Sequence, residues 1–149
     1  MPIENLLQRE RSLKKIGGGK MDTQQFDALI IGFGKAGKTL AVALANAGKK
    51  VALVERSPKM YGGTCINIAC IPTKVLVNAA EHRQSFDEAM AHKTTVVARL
   101  NEKNYHMLAD RETVSVIEGE ASFVDDRTVK VVAGNDELVV SAPQIFINT

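Results

Sequence analysis

Within about thirty residues the chain runs from an apolar stretch through a glycine turn and an alanine-rich stretch into a second apolar run. Phe26–Gly32 is short, apolar and ends in glycine, as a buried parallel strand does. Gly32-Phe33-Gly34-Lys35-Ala36-Gly37 then satisfies G-x-G-x-x-G. Lys38–Ala47 predicts a helix that stops at Gly48, and Val51–Glu55 predicts the next strand. Strand, glycine turn, helix and strand at this spacing form a right-handed βαβ unit, which commits the chain to an α/β fold built on a parallel sheet.

The three glycines have separate tasks. Gly32 permits the tight turn out of the strand, Gly34 lets backbone approach a pyrophosphate, and Gly37 lets the helix pack close to the sheet. Exposed amides and the positive end of the helix then hold phosphates. Glu55 follows Gly37 by 18 residues and ends the second strand, where an acid binds a ribose hydroxyl; a solvated strand-end carboxylate is the plainer alternative. The same stretch carries a rival pattern. Gly32–Thr39 also satisfies G-x-x-x-x-G-K-[ST], the phosphate loop of ATP and GTP binders, in which Lys38 would reach terminal phosphates and Thr39 would ligate magnesium. No later strand supplies a convincing acid for that metal, and Glu55 gains a task only in the dinucleotide reading.

Composition removes several other classes. A chain of 149 residues with 45% hydrophobic and 24% charged residues is one globular domain's worth, neither disordered nor fibrous. Residues 1–20 carry five basic and two acidic side chains; the rest carries 14 and 15, so the body offers no basic footprint for nucleic acid. Aromatics are 5% and Trp is absent, against a base-stacking platform. No apolar run reaches the roughly 18 residues of a membrane span, and no secretory stretch opens the chain. Two cysteines point to a reducing, cytoplasmic compartment.

Residues 1–21 read as a flexible or helical extension. Ile3, Leu6, Leu7, Leu13 and Ile16 fall roughly on one helical face before Gly17-Gly18-Gly19, and Met21 opens a segment that reads as an independent start. A membrane-surface or partner helix competes here with a misassigned start or a cloning remnant. Beyond the βαβ unit, a turn near Ser57-Pro58 leads to a helix reaching about Met90 and a second helical stretch over Ala91–Ala109. Short strands follow at Val114–Glu118, Glu120–Val124, Thr128–Val132, Leu138–Ser141 and Gln144–Asn148, with turns at Asp125-Asp126 and Gly134-Asn135-Asp136.

The only two cysteines, Cys65 and Cys70, stand five apart at the front of the predicted helix. A regular helix would hold their Cα atoms about 8.6 Å apart, beyond the roughly 7 Å a disulfide tolerates. If they bond, that first turn must be distorted, and such a strained, accessible bond is the catalytic sort. A helix start together with Lys74 favours thiolate. Zinc is a poor alternative, since CxxxxC lacks a second ligand pair and His82, His92 and His106 show no ligand spacing; no metal site is expected. Two unrelated buried cysteines are the structural alternative.

GFGKAGK followed by YGGTCINIACIPTK resembles the flavin-dependent pyridine nucleotide–disulfide oxidoreductases, the family of glutathione reductase, dihydrolipoamide dehydrogenase and mercuric reductase. Its reactive-chlorine-resistance branch, which is mercuric-reductase-like, is closest in wording. The resemblance covers about Gln25–Thr149, and GGTCxNxxCxPTK is far more specific than the glycine turn. It implies a Rossmann-like FAD-binding domain with a long helical hairpin and a β-meander, of which residues 22–149 are the N-terminal part. It implies that Gly32, Gly34 and Gly37 bind the FAD pyrophosphate and Glu55 the adenosine ribose. Gly63 and Thr64 would line the flavin, and Lys74 would sit near its reactive nitrogen. Cys65 would exchange with substrate and Cys70 would face the flavin as the other half of a redox disulfide. Gly119-Glu120-Ala121 matches loosely the segment whose backbone meets adenine, and Thr149 falls where a turn closes over FAD. Ala69 departs from the family's glycine, which matters if that backbone needs positive φ.

The intact enzyme so implied passes a hydride from NAD(P)H to FAD and electrons onward through Cys65–Cys70 to a small-molecule or metal-ion acceptor. It is a homodimer with further NAD(P)-binding and dimerisation domains, and the acid/base pair of the last is missing here. The 149-residue chain is therefore expected to bind FAD weakly or not at all and to drive no NAD(P)H oxidation. A non-catalytic interaction module using residues 1–16 is the remaining class.

Overall fold

The structure, a computed structural model, describes residues 23–149. The predicted N-terminal helix and glycine break lie outside the described residues. In chain order the elements are β1 (Gln24–Gln25), β2 (Ala28–Ile31), α1 (Lys35–Asn46), β3 (Val51–Glu55), a 3₁₀ turn (Pro58–Met60), α2 (Thr64–Asn67), α3 (Cys70–Glu81), α4 (Phe86–Ala109), and then β4 (Val114–Glu118), β5 (Glu120–Asp125), β6 (Thr128–Ala133), β7 (Asp136–Ser141) and β8 (Gln144–Ile147).

Four strands form a parallel sheet in the order β4-β3-β2-β8, with Ile31 level with Val54 on one side and Ile147 on the other. The central strands are buried on both faces, hence their unbroken apolar runs. Side chains alternate between two cores along them. Leu29, Ala52 and Val54 face Val129, Val131 and Val140 of the second sheet, where β5, β6 and β7 form an antiparallel meander. Ile30, Val51 and Leu53 face the helices, packing with Ala41 of α1 and Leu108 of α4. The domain is thus three layers: helices, parallel sheet, meander. No helix among the described residues is long and apolar enough to cross a membrane.

The helices differ from the sequence expectation in three places, the first being α1, which starts at Lys35 directly after Gly34 and not at Lys38. The cysteine segment is not one helix front: α2 ends at Asn67, and α3 restarts at Cys70 after Ala69 at φ −111°, ψ −90°. That φ is negative, so the alanine in place of glycine carries no left-handed strain. The helix expected to reach Met90 ends at Glu81, where Arg83 turns the chain at φ 54°. The next helix starts at Phe86 because Ser85 caps it: its hydroxyl accepts from the Glu88 amide, and the Glu88 carboxylate accepts from the Ser85 amide at 3.0 Å. Ser85→Ala is expected to cost about 1 kcal/mol, read as a lower urea midpoint at constant m.

Candidate functional site: the glycine turn and the cysteine pair

The carboxyl ends of β2, β3, β4 and β8 lie along one edge of the sheet, the edge on which open α/β sheets bind ligands. Gly32 leaves β2 at φ +104°, and a Cβ there would land on the Asn148 carbonyl oxygen, 2.7 Å from its carbon. At Gly34, which caps α1, a Cβ would meet Asn148 Nδ2 at 2.9 Å. At Gly37 it would meet the same nitrogen at 2.6 Å and the Gly32 carbonyl at 2.7 Å. All three glycines are therefore held free of side chains by the end of β8. Asn148 also donates from Nδ2 to the Gly32 carbonyl at 3.2 Å, while its amide donates to Ile31 at 2.8 Å. Sequence reasoning passed over Asn148; the available signal was a polar residue ending an apolar strand beside Thr149, whose amide nitrogen lies 3.1 Å from the Gly32 Cβ position.

Glu55 is half-buried and is no freely solvated carboxylate: Oε2 accepts from the Phe33 amide at 3.0 Å and Oε1 from Ser57 at 3.1 Å. Its carbonyl accepts from Gly119 at 3.0 Å, which brings Gly119-Glu120-Ala121 beside it; Ala121 itself packs half-buried on the meander core. Phe33, fully buried, was also passed over. Its ring packs at a tilt against Tyr61, centroids 5.0 Å apart, and Tyr61 packs at a tilt against Tyr105 of α4 at 4.8 Å. The Phe33 carbonyl accepts from Gly62 at 3.1 Å.

That contact seats the cysteine segment on the glycine turn. Gly63 adopts φ +77°, and a Cβ on it would lie 2.8 Å from the Gly34 Cα, so two backbones touch where side chains cannot fit. Asn67 fastens the far end of α2 by donating from Nδ2 to Tyr61 at 3.0 Å and to Gly63 at 2.8 Å. Asn101 of α4 in turn donates to Asn67 Oδ1 at 3.0 Å. Thr64 and Lys74 are exposed on either side of the pair.

Cys65 is half-buried and Cys70 exposed, and no disulfide joins them in the structure. The split between α2 and α3 makes their proximity possible where a continuous helix would not. The expected lowering of thiol pKa is overturned at Cys65. The hydrogen bond with Cys70, then desolvation and the charge of Cys70, push it above the ordinary cysteine value, outweighing the lowering by Lys35 and Lys74.

Lys38 and Thr39 are engaged within the chain, and nothing favours the triphosphate reading. Lys38 Nζ donates to Asn104 Oδ1 of α4, and Thr39 Oγ1 donates to the Lys35 carbonyl at 2.7 Å. No group of three or more His, Cys, Asp or Glu is placed to hold a metal ion among the described residues.

A glycine turn at the carboxyl edge of a parallel sheet, with an acid at the next strand end and a cysteine-bearing segment resting on the turn, defines a dinucleotide-binding domain that carries a cysteine pair. The chain belongs to the pyridine nucleotide-disulphide oxidoreductase family, whose profile matches residues 26–149. Among curated relatives it is 51% identical over 125 residues to the probable pyridine nucleotide-disulfide oxidoreductase RclA of Escherichia coli, covering 84% of this chain and 28% of that protein. It is 34% identical to the dihydrolipoyl dehydrogenase of Bacillus subtilis (83% and 29% covered) and 32% identical to the mercuric reductase of Staphylococcus aureus (71% and 22%). The solved copper(II) complex of the HOCl-induced flavoprotein disulfide reductase RclA from Escherichia coli superposes with a TM-score of 0.83 at 50% identity, over 85% of this chain and 29% of that one. The chain thus spans less than a third of the length of these relatives.

Proposed function

We propose that residues 22–149 form the N-terminal part of an FAD-binding domain in a flavoprotein disulfide reductase, with Cys65 and Cys70 as its redox pair. The observation that carries this is the seating of the cysteine segment on the glycine turn, Gly63 against the Gly34 backbone. The glycine turn opens α1, whose free amides and helix N-terminus suit a pyrophosphate. Gly32, Gly34 and Gly37 would hold that pyrophosphate and Glu55 the ribose. Gly63, Thr64 and Lys74 would face the isoalloxazine, while Ala121 and Thr149 would flank the nucleotide. Bound FAD would supply two-electron transfer between NAD(P)H and the sulfurs.

The work of the chain's own residues is separate from that. Two electrons and two protons would convert a Cys65–Cys70 disulfide to two thiols; an acceptor disulfide would re-oxidise them by exchange at Cys65 and leave as two thiols, whereas a metal-ion acceptor would take the two electrons as the two protons are released. The raised Cys65 pKa suits storage of the reduced pair as thiol at neutral pH. In the full-length enzyme the acceptor is a small-molecule disulfide or a metal ion, in line with the relatives' names, and the protein is a cytoplasmic homodimer whose hydride-donor site and acid/base pair lie in regions the relatives have and this chain does not span.

Titration of the chain with FAD tests the reading. Flavin fluorescence is expected to be quenched, weakly for the 149-residue chain, with no response to magnesium ATP and no oxidation of added NAD(P)H. Binding of magnesium ATP in place of FAD would overturn it.

A further inference from the structure

Lys38 is singled out by the sequence, yet neither phosphate binding nor the flavin assignment uses it. Its position is specific. It lies one turn into α1 from Gly34, the glycine on which Gly63 rests. Its ammonium donates to Asn104 Oδ1, and Asn104 is the one buried polar residue among those described, 5% exposed. Asn104 is held in turn by donating from Nδ2 to the Leu100 carbonyl at 2.6 Å. Its Cγ and Nδ2 lie 3.0 and 3.2 Å from where a Cβ of Gly62 would sit, so the Lys38–Asn104 pair packs directly behind the turn that enters Cys65.

We propose that Lys38, held by Asn104, is a positioning residue of the cysteine pair: it fixes the Gly62–Cys65 turn against α1 and keeps a positive charge behind Cys65. A lysine set in a half-buried place costs desolvation and is retained where its charge meets a partner. Burial and then the charge of Lys35 do lower the Lys38 pKa, and Cys65 raises it, so the two groups interact. Such coupling is reciprocal: what a thiolate does for the ammonium, the ammonium does for the thiolate. The charges that chiefly move the Cys65 pKa are Cys70, Lys35 and Lys74. α4 contributes to the segment through Asn101 and Asn104, which are neutral. Lys38 thereby adds its charge to those of Lys35 and Lys74 against the forces that hold Cys65 as thiol.

The inference rests on the cysteine pair being a working dithiol and is independent of flavin. The test is iodoacetamide alkylation of Cys65 against pH in the intact chain, in a Cys70→Ala background so that one thiol reports. Lys38→Met is expected to slow alkylation at pH 7 by about threefold or more and to move the midpoint to higher pH, while Lys38→Arg restores the parent profile. A Lys38→Met profile that coincides with the parent overturns the proposal, as does an equal displacement in Lys38→Arg. Should Lys38→Met fail to fold, the Lys38 side-chain titration by NMR is compared between the unsubstituted chain and Cys65→Ser. The Lys38 midpoint is expected to fall without the thiol, and identical midpoints overturn the idea. A displaced alkylation profile in a chain that binds magnesium ATP in place of FAD would sink the flavin reading and leave this one standing.

Discussion

Gly32→Ala is expected to destabilise the fold by about 3–5 kcal/mol, a large part of a domain's total stability. Two costs combine. The backbone at φ +104° lies outside the range an L side chain occupies without strain, typically about 1–3 kcal/mol. The new methyl would also occupy the place of the Asn148 carbonyl, which cannot retreat because the Asn148 amide is bonded to Ile31 at 2.8 Å. Relief requires β8 to part from β2, the central strand of the parallel sheet. Gly48→Ala separates the two costs. It shares positive φ, +75°, but has nothing within 4 Å of its Cβ position, so it is expected to cost about 1–2 kcal/mol. Urea midpoints at constant m read both. Equal shifts in the two variants would refute the steric account of the glycine turn. FAD quenching is expected to disappear in Gly32→Ala even under conditions where the variant remains folded, since the cradle widens where Asn148 is displaced.

Cys70→Ala is expected to abolish dithiol chemistry outright and to move the Cys65 titration downward. With diamide as oxidant, the unsubstituted chain closes one intramolecular disulfide and loses both titratable thiols, whereas the variant keeps its single thiol. An unsubstituted chain that retains both thiols after diamide would remove the basis for the proposed function. The direction of the second effect follows from its causes. The hydrogen bond and charge of Cys70 both raise the Cys65 pKa and both vanish in the variant, leaving desolvation against the lowering by Lys35 and Lys74. Because thiolate is the nucleophile, the alkylation-rate curve of Cys65 shifts to lower pH and the rate at neutral pH rises. An unchanged or upward-shifted curve would mean that Cys70 does not hold Cys65 protonated.

Much of this architecture was legible in local sequence. The expected strand Val51–Glu55 coincides with β3, and the meander strands fall within a residue or two of their expected places. Alternation and turn residues are short-range signals, so they survive without tertiary context. The break between α3 and α4 was written locally too, as Ser85-x-x-Glu88 with a polar run before it, but the helical composition on both sides masked it.

What the sequence alone determined, then, was the class of cradle and the presence of a sulfur pair beside it, because backbone freedom at glycine and the spacing of apolar residues depend on near neighbours. The rest was decided by contacts across the chain. Asn148 meets Gly32 from 116 residues away, and Asn104 meets Lys38 from 66. Neither pairing leaves a trace in local spacing. The sign of the Cys65 shift was tertiary as well. A helix start and nearby lysines argue for thiolate, but a second sulfur within hydrogen-bonding reach and the loss of water around it act more strongly, and only the folded chain sets those distances.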